Sequence, residues 1–134
     1  MYVAKFGDVN SKYIDPELKE YSPKYLLYLV EAFMDGDGWD SGYGYQTELA
    51  SPKLIDDLME VGLKCGYTVR YGGVRRNHMY RLLFSKGYVC YDRRNWSLES
   101  YSGKVWCPSV DNGIWLARCN GSVYWTGNSE EPVS

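Results

Sequence analysis

The chain has one histidine in 134 residues, His78, and no Gly-x-Ser-x-Gly motif. That inventory excludes a His-based catalytic triad and a multi-histidine metal centre. The four cysteines, Cys65, Cys90, Cys107 and Cys119, show no Cys-x-x-Cys spacing. This argues against structural zinc and for an all-thiol, cytoplasmic protein. Long hydrophobic runs are missing too. The longest, Tyr25 to Met34, is broken by Glu31 and falls well short of the ~20 residues of a membrane span. No secretory-leader pattern opens the chain. What is present suits a packed core: 45% apolar and 24% charged residues, enough for one domain or two small ones. Fourteen tyrosines dominate the 16% aromatic content, which predicts broad, polar-rimmed contact surfaces.

The net charge of −2 conceals an asymmetry. Residues 1–60 hold Lys5, Lys12, Lys19, Lys24 and Lys53 against twelve acids. Residues 64–94 reverse the sign, with Lys64, Arg70, Arg75, Arg76, Arg81, Lys86, Arg93 and Arg94 against Asp92 alone. Tyr67, Tyr71, Tyr80, Tyr88 and Tyr91 are interleaved with them. Such a block either tracks a phosphate backbone or forms a solvated strand face.

Residues 1–22 are polar and aperiodic, a leading segment. Ser22-Pro23 pairs a capping hydroxyl with a first-turn proline and predicts a helix start. That helix, apolar on nearly every side, belongs among other elements or against another chain, and it stops at Asp35-Gly36-Asp37-Gly38, where two glycines permit non-helical backbone. Tyr and Gly alternation from Trp39 to Leu49 suggests a hairpin. Ser51-Pro52 opens a second helix with acids crowding its first turn, carried by Leu54, Ile55, Leu58, Val61 and Cys65 and ended by Gly66. Strands are expected at 68–71 and 79–84, joined by Gly72-Gly73 and a basic tip, with a further short strand at 88–91. The order over residues 23–91 is helix, hairpin, helix, hairpin, an α+β arrangement. Beyond Asn95, three short strands are expected at 103–110, 114–118 and 122–126, the last two around the hairpin signal Asn120-Gly121.

The run Val30-Glu-Ala-Phe-Met-Asp-Gly-Asp-Gly38 resembles the nonapeptide that names the LAGLIDADG homing endonucleases, and the stretches from Ser51 and Gly66 follow in that family's order. The resemblance implies a half-domain over residues 23–98, helices that pack through small residues such as Ala32, and strands lying in a DNA groove. By position, Asp37 matches the family's metal-binding acid. Phosphodiester cleavage needs carboxylates holding hard cations such as Mg²⁺. Only one copy of the motif is present, so a nuclease would require a second chain. Asp35 and Asp37 also serve as helix-end turn residues on a purely structural reading. Arg70, Arg75, Arg76 and Arg81 are the candidate phosphate contacts. An EF-hand is excluded, because Trp39 takes the fifth loop position and Asp40 stands where Gly is required.

The stretch from Gly103 to Ser129, ending Thr126-Gly127-Asn128-Ser129, looks like the last two blocks of an intein. A LAGLIDADG-like segment directly upstream is an arrangement many inteins show. The resemblance implies that residues 99–128 supply strands to a horseshoe-shaped (Hint-type) β fold and that 129–134 begin the C-extein. The Ser129 hydroxyl can attack an upstream (thio)ester. The side-chain amide of Asn128 can then close a succinimide on its own carbonyl, a ring closure that depends on positioning. Gly127 stands where many inteins have His, and Asn112 or Gly113 near where many have another. Cys107 replaces a common Asp; it is either a general acid/base with a lowered pKa or a buried, inert thiol. Oxyanion stabilisation then falls to backbone amides, Thr126, Asn120 or a partner-chain group. His78 reads as a surface or DNA-side residue.

Met1 is not a Cys or Ser nucleophile and no Thr-x-x-His follows, so the expectation is the C-terminal fragment of a split intein acting by trans-splicing. The alternative is a DNA-binding subunit of a homodimeric LAGLIDADG nuclease. The expected partners are an N-terminal intein fragment and, in either reading, DNA, with no membrane and no small-molecule substrate. Splicing needs no cofactor; Mg²⁺ enters only with nuclease activity.

Overall fold

The computed structural model describes residues 7–86 and 97–127. The architecture is α+β: a six-stranded antiparallel sheet with its helices on one face. In chain order the elements are α1 (Pro16–Lys19), α2 (Pro23–Asp37), β1 (Gly38–Asp40), β2 (Tyr45–Leu49), α3 (Pro52–Lys64), β3 (Tyr67–Val74), β4 (Tyr80–Lys86), β5 (Ile114–Cys119) and β6 (Ser122–Gly127). The sheet order is β1-β2-β4-β3-β6-β5. The expected helix–hairpin–helix–hairpin succession is therefore present through residue 86. The strand expected at 88–91 lies outside the described residues. No helix among them is long and apolar enough to cross a membrane.

Side chains alternate across a strand, and this decides what the core contains. Leu82 and Phe84 of β4, Tyr67 and Val69 of β3 and Leu49 of β2 point inward, where Leu26, Val30 and Met34 of α2 and Leu54, Ile55, Leu58, Met59 and Val61 of α3 cover them. Gly62 lets α3 sit close to the sheet, since a Cβ there would lie 2.7 Å from Phe84 and Val69 side-chain atoms. Asp57 is buried in this layer and ties down the leading segment. Its carboxylate accepts from the Ile14 amide (2.8 Å), Lys19 Nζ (3.0 Å) and Lys53 Nζ (2.9 Å).

Several local expectations change. Ser51 caps α3 as foreseen, its hydroxyl accepting from the Leu54 amide and donating to the Lys12 carbonyl, but Ser22 makes no side-chain cap bond. The first turn of α3 holds no acid, because Asp56 and Asp57 fall in the second. Helix α2 runs through Gly36 to Asp37, and Gly38 follows with extended backbone (φ −104°). Gly38 is required for space: a Cβ would meet the Met34 carbonyl oxygen at 2.7 Å. Only one face of α2 is buried; Tyr25, Tyr28, Glu31 and Ala32 are exposed. Gly72-Gly73 is no turn but a bulge inside β3, with Gly73 at φ +87°, and the reversal comes at Arg75–His78. The strand expected at 103–110 is absent. Pro108 has no N–H for a ladder, and every residue from 97 to 112 is exposed.

Candidate functional site

The C-terminal hairpin is built as its turn signal requires. Asn120 and Gly121 adopt φ of +49° and +78°, the paired left-handed conformation of a two-residue turn whose twist matches its strands. Six ladder pairs follow, from Cys119↔Ser122 to Ile114↔Gly127. At the far end, Gly127 lies beside the turn that starts β5. There the Gly113 amide donates to the Val110 carbonyl (3.0 Å), and the Ile114 amide donates to Asn112 Oδ1 (3.1 Å). The two positions where the resemblance led us to look for histidine are thus neighbours across the ladder. A Cβ at 127 would lie 2.6 Å from the Gly113 carbonyl oxygen, so this backbone leaves no room for the side chain the resemblance expects.

Thr126 is half-buried on β6, paired with Trp115. Asn120 stands at the opposite end of the hairpin from Gly127, roughly 20 Å away by the rise per residue, so it cannot serve a reaction beside Gly127 in this conformation. Cys107 lies in the irregular stretch ahead of the hairpin and is exposed, against the expectation of a buried thiol. Asn128 and Ser129 lie outside the described residues.

The basic stretch divides in two. On the sheet face away from the helices, Trp39, Gln46, Leu83, Arg70 and Ser122 form one cross-strand row. In the next row Arg81 opposes Glu48 and donates to its Oε1 through Nη2 (2.6 Å) and Nε (3.0 Å), while its guanidinium sits 5.7 Å from the Trp39 ring centroid. Arg75 reaches the same carboxylate at 3.8 Å. Of the four candidate phosphate contacts, Arg81 is therefore tightly paired and Arg75 loosely held by Glu48, a residue that the sequence pattern did not single out and whose single charge balances only one of them. Alternation along Tyr45–Leu49 marks Glu48 as outward, but only the β2–β4 register names its partner. Arg70 and Arg76 are exposed, and no ion pair is formed by either among the described residues. His78 is exposed in the basic turn at φ +61°.

Asp37 is exposed at the end of α2, its backbone carbonyl accepting from the Thr47 hydroxyl (3.0 Å). Among the described residues no three His, Cys, Asp or Glu side chains converge as a metal-binding group. No family model matches the chain, and no characterised protein or solved structure is significantly similar to it.

Proposed function

We propose that the chain is the C-terminal fragment of a split intein carrying a LAGLIDADG-like half-domain over residues 23–98. One observation carries this reading. From residue 97 to 127 only Val123 is buried, while Leu98, Val105, Trp106, Ile114, Leu116 and Trp125 face solvent, Leu98 and Trp106 almost fully. Apolar exposure on this scale marks a surface made to be covered. It ends on a strand whose next two residues are Asn128 and Ser129. In the proposed reaction an N-terminal intein fragment supplies the missing strands and an activated acyl group. Ser129 Oγ attacks that acyl carbon, loses its proton and expels the upstream thiol or hydroxyl, giving a branched ester. Asn128 Nδ2 then attacks its own main-chain carbonyl carbon and the 128–129 bond breaks, leaving succinimide and a free Ser129 amine. The amine takes the acyl group from Oγ to form the new peptide bond. Backbone amides of the completed fold supply the oxyanion stabilisation.

Mass spectrometry after mixing with an N-terminal fragment that begins with Cys or Ser tests this. Asn128→Ala should accumulate the branched ester, and Ser129→Ala should leave junction cleavage without ligation. Ligated product with a released tail from Asn128→Ala overturns the mechanism.

A second reading, a LAGLIDADG-type DNA-binding subunit, draws on the unpartnered face of α2, where Tyr25, Tyr28, Ala32 and Gly36 recur at helical spacing up to the exposed Asp37. With Arg81 paired to Glu48 and Arg75 in looser contact with it, duplex binding by the isolated chain should be weak, salt-sensitive and led by Arg70 and Arg76. Arg70→Ala should weaken it more than Arg81→Ala. Mg²⁺-dependent, sequence-specific cutting that is lost in Asp37→Ala favours this second reading over the first.

A further inference from the structure

Four observations meet where the C-terminal hairpin joins the rest of the sheet. Strand β6 pairs with β3 at one ladder position only, Arg70↔Ser122, reinforced by the Tyr71 amide donating to the Gly121 carbonyl (2.7 Å). Toward Gly72-Gly73, β6 has already ended at the Asn120-Gly121 turn, and on the other side no further β3–β6 ladder pair forms among the described residues. On the inner face, Val123 is the one hairpin side chain inserted in the core. Arg118, beside Val123 in the ladder, reaches across to Asp56 and the Met59 sulfur of α3, and both partners of that ion pair are half-exposed. Beneath the hairpin lies a cleft of about 270 Å³, walled by Ile55, Met59, Tyr71 and Tyr80 on one side and by Arg118 and Gly121 on the other. The cleft opens to solvent, so hairpin and body are not closely packed along this side. The hairpin itself, with its six ladder pairs, is the more continuous unit.

We infer that the β5–β6 hairpin opens and closes on the body as one unit, turning about the Arg70↔Ser122 contact, with the Arg118–Asp56 ion pair as its salt-sensitive latch. A junction with a single ladder position offers little resistance to rotation, and half-exposed ion pairs are weak and screened by salt. The opening itself is independent of the splicing reading. Its consequence rests on that reading: residue 127 can be carried to a partner fragment while the helices and the central strands stay folded. Local openings of this kind are reported by amide exchange.

The Tyr71 amide, whose acceptor is on the hairpin, is the reporter of closure. In the full chain alone, followed by NMR hydrogen exchange, it should exchange at least tenfold faster than the amides of β4. Arg118→Ala, or 0.5 M NaCl, should raise its opening by about two- to fivefold while leaving the β4 and β5–β6 cross-strand amides unchanged. Val123→Ala should raise it further. Exchange of Tyr71 in step with β4 overturns the proposal. So does an Arg118→Ala variant that speeds the β5–β6 amides equally, because the hairpin would then be unravelling rather than turning. Since no N-terminal fragment is present, a chain that never splices leaves this result intact, and a failed latch leaves the splicing test intact.

Discussion

Leu58 and Leu116 are the same residue in two different situations. Leu58, on α3, has no exposed surface, whereas Leu116, on β5, is over a third exposed and its neighbours Ile114 and Trp125 more so. The body, residues 7–86, lays two helices over four strands, and each apolar row finds a facing row. The C-terminal segment has strands as regular as those of the body but no second layer of its own. A sheet face is buried only when another element lies on it. Hydrophobic composition is therefore similar in the two regions, and the difference between core and open surface is one of layering.

The largest effect that would sharpen this contrast is Leu58→Ala, which should destabilise the chain by about 3–4 kcal/mol in urea unfolding, as for fully buried leucines in tight cores. Next is Asp57→Ala, which leaves the buried Ile14 amide without its acceptor, while Lys19 keeps Glu60 and Lys53 reaches solvent, and should cost about 1–3 kcal/mol. Burial opposes the Asp57 charge, but the Lys53 ammonium, the Ile14 amide and Lys19 outweigh it and hold the carboxyl below its ordinary value of 3.8. A depressed folded-state pKa gives stability that is complete above the unfolded value and lost as pH falls through the folded one. Unfolding midpoints should therefore drop on acidification below about pH 4 in the wild type, and Asp57→Asn should flatten that part of the profile. The smallest effect is Leu116→Ser, expected within about 0.5 kcal/mol of wild type in the isolated chain. The same substitution should slow product formation with an N-terminal fragment. A cost for Leu116→Ser matching that of Leu58→Ala would break the comparison outright.

The body was largely legible in the sequence. The 3.6-residue spacing of Leu54, Leu58 and Val61 defines α3, and Ser51-Pro52 and Gly66 mark its ends. Asn120-Gly121 names the last turn because its backbone demand is local. Sites that depend on space rather than on local preference were not legible. Gly36 stays helical and Gly38 is needed for its close approach to Met34, a distinction that composition does not contain. Gly72-Gly73 reads as a turn until the β3–β4 register shows that both residues lie within a bulged strand. The Glu48–Arg81 pair and the Arg118–Asp56 pair span 33 and 62 residues of sequence, so each exists only once the strands are in register. Of the candidate splicing residues, the hairpin brings Thr126 and Gly127 beside the Asn112-Gly113 turn, and the residue types alone could not have shown that position 127 has no space for a side chain.

Strand β5 is the outermost strand of the sheet. Among the described residues no strand pairs its outward N–H and C=O groups, which lie next to exposed Ile114 and Leu116, a combination that invites edge-to-edge pairing between copies. The chain alone should therefore self-associate as its concentration rises, and on the proposed splicing reading an added N-terminal fragment that supplies the next strand should act as a solubility factor before it acts as a reactant.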